Sequence, residues 1–280
     1  MRKTCHALLI ALAAQGLLAA DASADKLPLW EAGMGVAAVD FPDYRGSDER
    51  QTYLLPMPYI VYRGEFLKVN REGVRGMFFE SERMEFDVSV NGTVPVKSEN
   101  NRARRGMPDL DPTLEIGPSL NVFLMRSADR KTSLELRLPL RAALASDFSH
   151  IDHVGWVFQP NLNLDLRDAW PGKGWNLGVL AGAVFADRRY HQYIYGVEPA
   201  YATAQRPAYS ASGGYAGTQF VGALSKRFPN YWVGGFVKWD SLNGAAFADS
   251  PLLKTKQYFT AGLAVSWVFA DSKTLVEADR

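Results

Sequence analysis

The sequence predicts an all-β chain, a transmembrane antiparallel β-barrel of about twelve strands, with ten or fourteen as the neighbouring solutions. Three observations carry this. Long runs alternate apolar and polar residues with period two, the chain opens on an export sequence, and the connectors between runs are long and short in turn.

The export sequence comes first. Arg2 and Lys3 precede an uncharged, mostly apolar run from Ala7 to Ala20, and Ala22-Ser23-Ala24 supplies the small residues of a cleavage point. The run is shorter than the roughly 20 residues a spanning helix needs. Residues 1–24 therefore read as a signal peptide, 25–269 as the barrel, and 270–280 as a polar, flexible periplasmic tail. The single cysteine, Cys5, stands ahead of the apolar run, so lipid anchoring is disfavoured; a chain starting at Asp25 has neither disulfides nor a Cys-based zinc site. A net charge of +1 offers no electrostatic footprint for nucleic acid.

Beyond residue 25 no stretch approaches 18 uncharged apolar residues, which excludes helical spans. Strands are expected near 30–39, 52–62, 65–71, 73–80, 84–93, 113–125, 132–145, 154–167, 174–186, 213–226, 231–240 and 257–269. In 113–124, Leu114, Ile116, Pro118, Leu120, Val122 and Leu124 alternate with Glu115, Gly117, Ser119 and Asn121. In 134–144 the leucines alternate with Glu135, Arg137, Pro139 and Arg141; in 154–167, Val154, Trp156, Phe158 and Leu162 alternate with Gln159, Asn161, Asn163 and Asp165. A soluble β-sandwich alternates too. The barrel is favoured by run length, by aromatics near segment ends (Trp156, Trp175, Tyr231, Trp239, Trp267, Phe269) and by the connectors. Connectors at 40–51, 94–112, 146–153, 187–212 and 241–256 are long, those at 63–64, 81–83, 126–131, 168–173 and 227–230 short, as outer-membrane barrels have them. The connector between the third and fourth strands breaks this rule. The implied address is the outer membrane of a Gram-negative cell, with lipid and lipopolysaccharide as surroundings.

Candidate chemistry is sparse. His150 and His153, around Asp152, would need a third ligand to bind metal, and read as solvated loop residues. His191 stands beside Arg188 and Arg189 in the longest loop, where basic residues suit lipopolysaccharide phosphate. Ser149 adjoins His150 without an orienting third group, so no catalytic residue, cofactor site or metal site is assigned, and the chain reads as non-enzymatic. Arg102, Arg104 and Arg105 read as a solvated loop face; Glu115, Arg137, Arg141, Asp165 and Arg167 would form a lumenal charge network, as a plug or as a constriction that selects solutes.

Across the mature chain, short motifs follow one another: Gly33-x-Gly35; Pro42-Asp43-Tyr44-Arg45-Gly46-Ser47-Asp48; Pro56-x-Pro58; Tyr62-Arg63-Gly64; Arg105-Gly106-Met107-Pro108-Asp109-Leu110; Tyr193-x-Tyr195-Gly196-Val197; Phe247-Ala248-Asp249-Ser250-Pro251-Leu252. In this order they resemble the MipA/OmpV outer-membrane proteins. The resemblance implies a scaffold that brings a lytic transglycosylase together with a bifunctional penicillin-binding protein in peptidoglycan remodelling. Other branches resemble narrow porins or adhesion-related proteins, and a lipid-modifying barrel enzyme is a third alternative. The family offers no catalytic residues, so its motif positions (Tyr44, Gly46, Ser47, Gly106, Met107, Tyr193, Gly196, Val197, Asp249, Ser250, Pro251) are expected to be turns and loop anchors. Gly46, Gly64 and Gly196 would permit positive φ, and Pro251 would fix a loop near the start of a strand.

Overall fold

The computed structural model describes residues 26–63, 67–70, 73–76, 79–81, 83–147, 149–168 and 174–277. The expected signal peptide, Gly64, the end of the third expected strand at 71 and the connector after it at 72 lie outside them.

The strands are β1 (Lys26–Pro28), β2 (Trp30–Pro42), β3 (Arg50–Arg63), β4 (Leu67–Asn70), β5 (Gly73–Gly76), β6 (Phe79–Glu80), β7 (Met84–Gly92), β8 (Thr113–Arg126), β9 (Thr132–Ser146), β10 (Ile151–Phe158), β11 (Asn161–Leu166), β12 (Trp175–Ala186), β13 (Gly214–Arg227), β14 (Tyr231–Ser241), β15 (Gln257–Asp271) and β16 (Leu275–Glu277). One α-helix, α1 (Arg188–Tyr195), sits in the longest connector. No helix among the described residues is long and apolar enough to cross a membrane.

From β2 to β5 and from β6 to β15 the strands are paired antiparallel in chain order, β10 and β11 sharing one place between β9 and β12, and β15 pairs with β2, so the chain's last long strand joins its first. At the other end of the path β5 bonds to β4, β6 bonds to β7, and β5 runs alongside β7, which brings the sheet back on itself. The expected strand at 154–167 is split into β10 and β11 at Gln159-Pro160, because proline has no N–H to give the ladder. Both pieces still pair with β9 and β12. Taking β10 with β11, and β5 with β6, as interrupted strands gives about twelve around the ring.

Burial separates barrel from sandwich. A sandwich would bury the leucine faces. Here Met34, Leu54, Ile60, Leu120, Leu263 and Phe269 are exposed, Leu54 at 75% and Leu263 at 73%, whereas Glu85, Asp87, Glu115, Asn121, Arg141 and Asn163 are buried. Apolar residues outside and polar ones inside is the arrangement a lipid-facing wall requires. Trp267, Phe269 and Tyr231 cluster at the short-turn end of the outer face, with Trp267 opposite Tyr231 in the ladder; Trp156 stands toward the long-loop end.

Two expectations need correction. Val154 leaves the face of Trp156: the register shifts between His153 and Gly155, and Val154 is buried against Ala143 and Ala145. The bulge exists because Gly155, at φ +134°, lets the start of α1 approach closer than a Cβ would allow. The tail is not a free segment either. β15 continues to Asp271, and β16 pairs antiparallel with β1, Lys26 opposite Glu277, in a two-stranded ribbon at the short-turn end. Ser272 N–H donates to Trp30 O at 2.9 Å, and Arg63 Nη1 donates to Pro28 O at 2.6 Å, which ties the ribbon to the barrel.

Candidate functional site

Four connectors (residues 43–49, 93–112, 187–213 and 242–256) fold over the long-loop end as a cap with its own core. Helix α1 starts where the Asp187 side chain accepts from Tyr190 N–H at 2.8 Å, an N-cap that orients the helix across the mouth. Its inner face buries His191 and Tyr195. The Tyr195 ring stacks on Phe247, and Tyr44 meets Tyr195 edge-on at 6.3 Å; Val96, Leu110, Val197 and Leu252 fill the remaining space.

Polar groups in this core find partners across the chain. Tyr44 OH donates to Leu252 O (2.7 Å), Tyr195 OH to Arg45 O (2.8 Å) and Ser250 Oγ to Tyr195 O (2.8 Å). Asn101 Nδ2 donates to Asp43 Oδ2 (2.8 Å) and Ser47 Oγ (3.2 Å). Burial pushes the phenols of Tyr44, Tyr190 and Tyr195 above their ordinary range, so they are neutral donors.

The motif positions converge here. Tyr44, Ser47, Val197 and Ser250 are buried in the cap, and Met107 and Tyr193 pack against it; Asp111 N–H donates to Tyr193 OH at 2.8 Å. Gly46 has φ +91°, and its carbonyl accepts from both Lys254 N–H and Thr255 N–H. Gly106 also takes positive φ, at +80°. Gly196 does not: its φ is −70°, and the residue must be small because a Cβ would collide with Gln192. Asp249 and Pro251 belong to the tight turns around Ser250, where Ser250 N–H donates to Phe247 O and Leu253 N–H to Ser250 O.

The arginine cluster divides rather than forming one solvated face. Arg102 is exposed and pairs with Asp48 and Glu49, but Arg104 is buried and donates to Ser98 Oγ, Ile194 O and Pro108 O, joining two connectors. The Arg105 carbonyl, with that of Ala103, accepts from buried Arg206. Sequence patterning read Arg104 as solvated and did not single out Arg206, because neither lies on a strand with a readable face.

Below the cap the lumen is braced by charge. Glu115 accepts from Arg141 Nε at 3.0 Å, from Asn91 at 3.1 Å and from Tyr190 OH at 2.9 Å, so the helix is pinned to the barrel wall. Arg137 pairs with Glu135 at 2.8 Å and reaches Asp165 at 4.0 Å, as the expected network requires. Asp240, fully buried, lies 3.0 Å from Arg45 and 3.1 Å from Lys238. At the short-turn end Glu31 holds both Arg63 (3.2 Å) and Arg227 (3.1 Å), bridging β3 and β13. Between these braces lies a cavity of about 660 Å³, and a second of about 430 Å³ adjoins it toward the turns.

Of the three histidines only His150 stands exposed in a loop as expected; His153 lies in β10 and His191 in the cap core. His191 is fully buried, and its Nδ1–H donates to Ser212 O at 2.6 Å, so it cannot touch lipopolysaccharide; Arg188 and Arg189 beside it are exposed. Burial depresses its pKa. Ser149 Oγ and His150 Nδ1 do meet, at 2.9 Å, but Asp147 takes the serine hydroxyl at 2.7 Å instead of orienting the imidazole. These three residues form an exposed turn whose hydrogen bonds, Ser149 first, lower Asp147 to about 2. His153 packs its ring against Trp156, and no group of three or more metal-ligating side chains occurs among the described residues.

A family model described as MltA-interacting protein MipA matches residues 34–269. Similar solved structures include a bacterial polysaccharide outer membrane secretin (8% identity over 86% of this chain and 99% of that one, TM-score 0.42). A CymD monoaromatic hydrocarbon channel gives 11% identity over 86% and 89% (TM-score 0.30), and the outer membrane protease OmpT from Escherichia coli 8% over 88% and 96% (TM-score 0.28). No curated protein matches the chain.

Proposed function

The chain belongs to the MltA-interacting protein MipA family and is an outer-membrane β-barrel, and from that premise we propose that it is a non-enzymatic scaffold in peptidoglycan remodelling. Exported by its signal peptide, it would hold a lytic transglycosylase and a bifunctional penicillin-binding protein at the inner face of the outer membrane. The observation that carries this reading beyond the family is the β1–β16 ribbon. It turns the two ends of the barrel segment into one ordered, exposed element on the periplasmic side, tied to the barrel through Pro28 and Trp30. Leu275, 54% exposed, offers an apolar contact there. On the opposite end the exposed Arg188 and Arg189 would suit lipopolysaccharide phosphate.

Crosslinking in intact envelopes followed by pull-down tests the scaffold, with a chain ending at Asp271 as the comparison. Capture of both enzyme classes by the full chain, and loss of that capture on truncation with gel heat-modifiability intact, is the expected outcome. Capture of neither by the full chain would sink the reading. A second reading, a narrow porin, draws on the lumenal cavity; steady conductance in planar bilayers would favour it.

A further inference from the structure

We propose that the lumen is a binding chamber for an uncharged oligosaccharide, independent of the scaffold role. Three observations converge on it.

First, β14 presents aromatic faces to the interior. The Trp232 ring lies across Gly234 of its own strand, where any Cβ would overlap it, and the Phe236 ring lies on Gly262 of β15, whose Cβ would come within 2.6 Å of Phe236 Cε1. With glycine behind them, both rings flatten against the wall. Both line the lower cavity, and Phe236 also lines the upper one, so the lumen offers aromatic faces of the kind that take the C–H face of a pyranose.

Second, the same upper cavity is lined by amides: Asn121, Gln159, Asn161 and Gln219. Asn161 is 7% exposed, and its Oδ1 has no hydrogen-bond partner among the described residues; neither has the buried Trp232 Nε1. A buried acceptor and a buried donor without protein partners cost free energy unless a ligand or solvent satisfies them. Hydroxyl groups do both, being donor and acceptor at once.

Third, charge decides the ligand class. Every cation lining the upper cavity stands in an ion pair: Arg45 and Lys238 share Asp240, Arg141 pairs with Glu115 and Arg137 with Glu135. An anion would have to break one of these pairs, and a cation would have to displace the amides that the lining carboxylates hold, Asn101 and Gln51 on Asp43 and Asn121 on Asp87, whereas a neutral polyol leaves them intact. A volume of about 660 Å³ falls in the range of small-molecule sites, roughly 300–1,000 Å³. The way in is beside β7, where the cavity reaches the exposed Asn91, Gly92 and Thr93 at the rim of the cap.

The test is titration of the folded mature chain in detergent micelles with maltotriose and with N,N′-diacetylchitobiose, read by tryptophan fluorescence and by calorimetry, with digalacturonate as the charged comparison. Saturable binding of a neutral sugar, no binding of digalacturonate, and at least tenfold weaker binding in both Asn161→Ala and Trp232→Leu, each still heat-modifiable, is the expected result. If Trp232→Leu fails to fold, Gly262→Val, which displaces the Phe236 ring, takes its place. No saturable response to either neutral sugar, preference for digalacturonate, or unchanged affinity in the variants would overturn the proposal.

Discussion

The ring of Tyr195 lies 3.6 Å, centroid to centroid, from the ring of Phe247, with 9° between their planes, and this stack joins the 187–213 connector to the 242–256 connector. Both residues are almost wholly buried, in loops that in most barrels would be the mobile part. The cap is thus a small globular core built on top of a membrane protein.

Phe247→Ala should therefore unseat the cap and spare the barrel. Truncating a buried phenylalanine costs about 3–5 kcal/mol. Limited proteolysis is expected to cut within 187–213 in the variant and not in the parent, while the heat-modifiable band persists. Loss of that band would mean that cap and barrel form one cooperative unit.

Asp240 is the charge on which two cations depend, Arg45 from the cap and Lys238 from its own strand. Asp240→Asn leaves both without their carboxylate; because each cation is about a quarter exposed, the expected loss falls below the roughly 3–5 kcal/mol of a fully buried pair. Adding Arg45→Met should restore part of it. Urea midpoints in matched micelles give the comparison, and a double variant no better than the single one would count against the pairing.

His191 should make the cap sensitive to acid. Burial holds its pKa below the ordinary value, with the Arg45 charge adding to the depression and the Ser212 carbonyl opposing it. The unfolded loop thus binds the proton more readily than the folded one. The histidine's contribution is intact above the unfolded pKa of about 6.5 and falls away as pH drops through and below it. Protease sensitivity of 187–213 is expected to rise between pH 7.5 and 5 in the parent, and to rise less in His191→Gln. Parallel profiles would assign the acid response to another group.

Gly46→Ala should be more harmful than Gly106→Ala. Both glycines have positive φ, but a methyl at Gly46 would also press on Leu253 and come within 2.9 Å of Leu242 Cδ1, whereas at Gly106 nothing lies within 4 Å. Backbone strain alone costs about 1–3 kcal/mol. Thermal melts should show Gly106→Ala within that range and Gly46→Ala beyond it; equal shifts would remove the steric component.

Strand number, pairing order and face assignment were legible in the sequence because a strand's two faces alternate residue by residue, and a lipid-facing wall must be apolar at every second position. The periodic segments around Leu120, Leu140, Phe220 and Leu263 needed nothing else. Periodicity failed where the backbone departs from it, at the Gly155 bulge that turns Val154 inward. It was silent in the connectors, where no repeat links spacing to burial. Tyr44, Arg104, His191 and Ser250 sit in polar loop sequence, and their burial arises from contacts with residues far along the chain: Tyr44 with Leu252, Arg104 with Ile194, His191 with Phe247, Ser250 with Tyr195. The tail shows the same limit, since its strand exists only through pairing with Lys26–Pro28 at the other end of the barrel. The sequence by itself thus determined the barrel, an outcome of local alternation under a membrane's demand for satisfied backbone groups. Tertiary structure alone decided the cap, the clasped ends and the braced lumen, because each depends on closing loops of tens to hundreds of residues around contacts that no local pattern encodes.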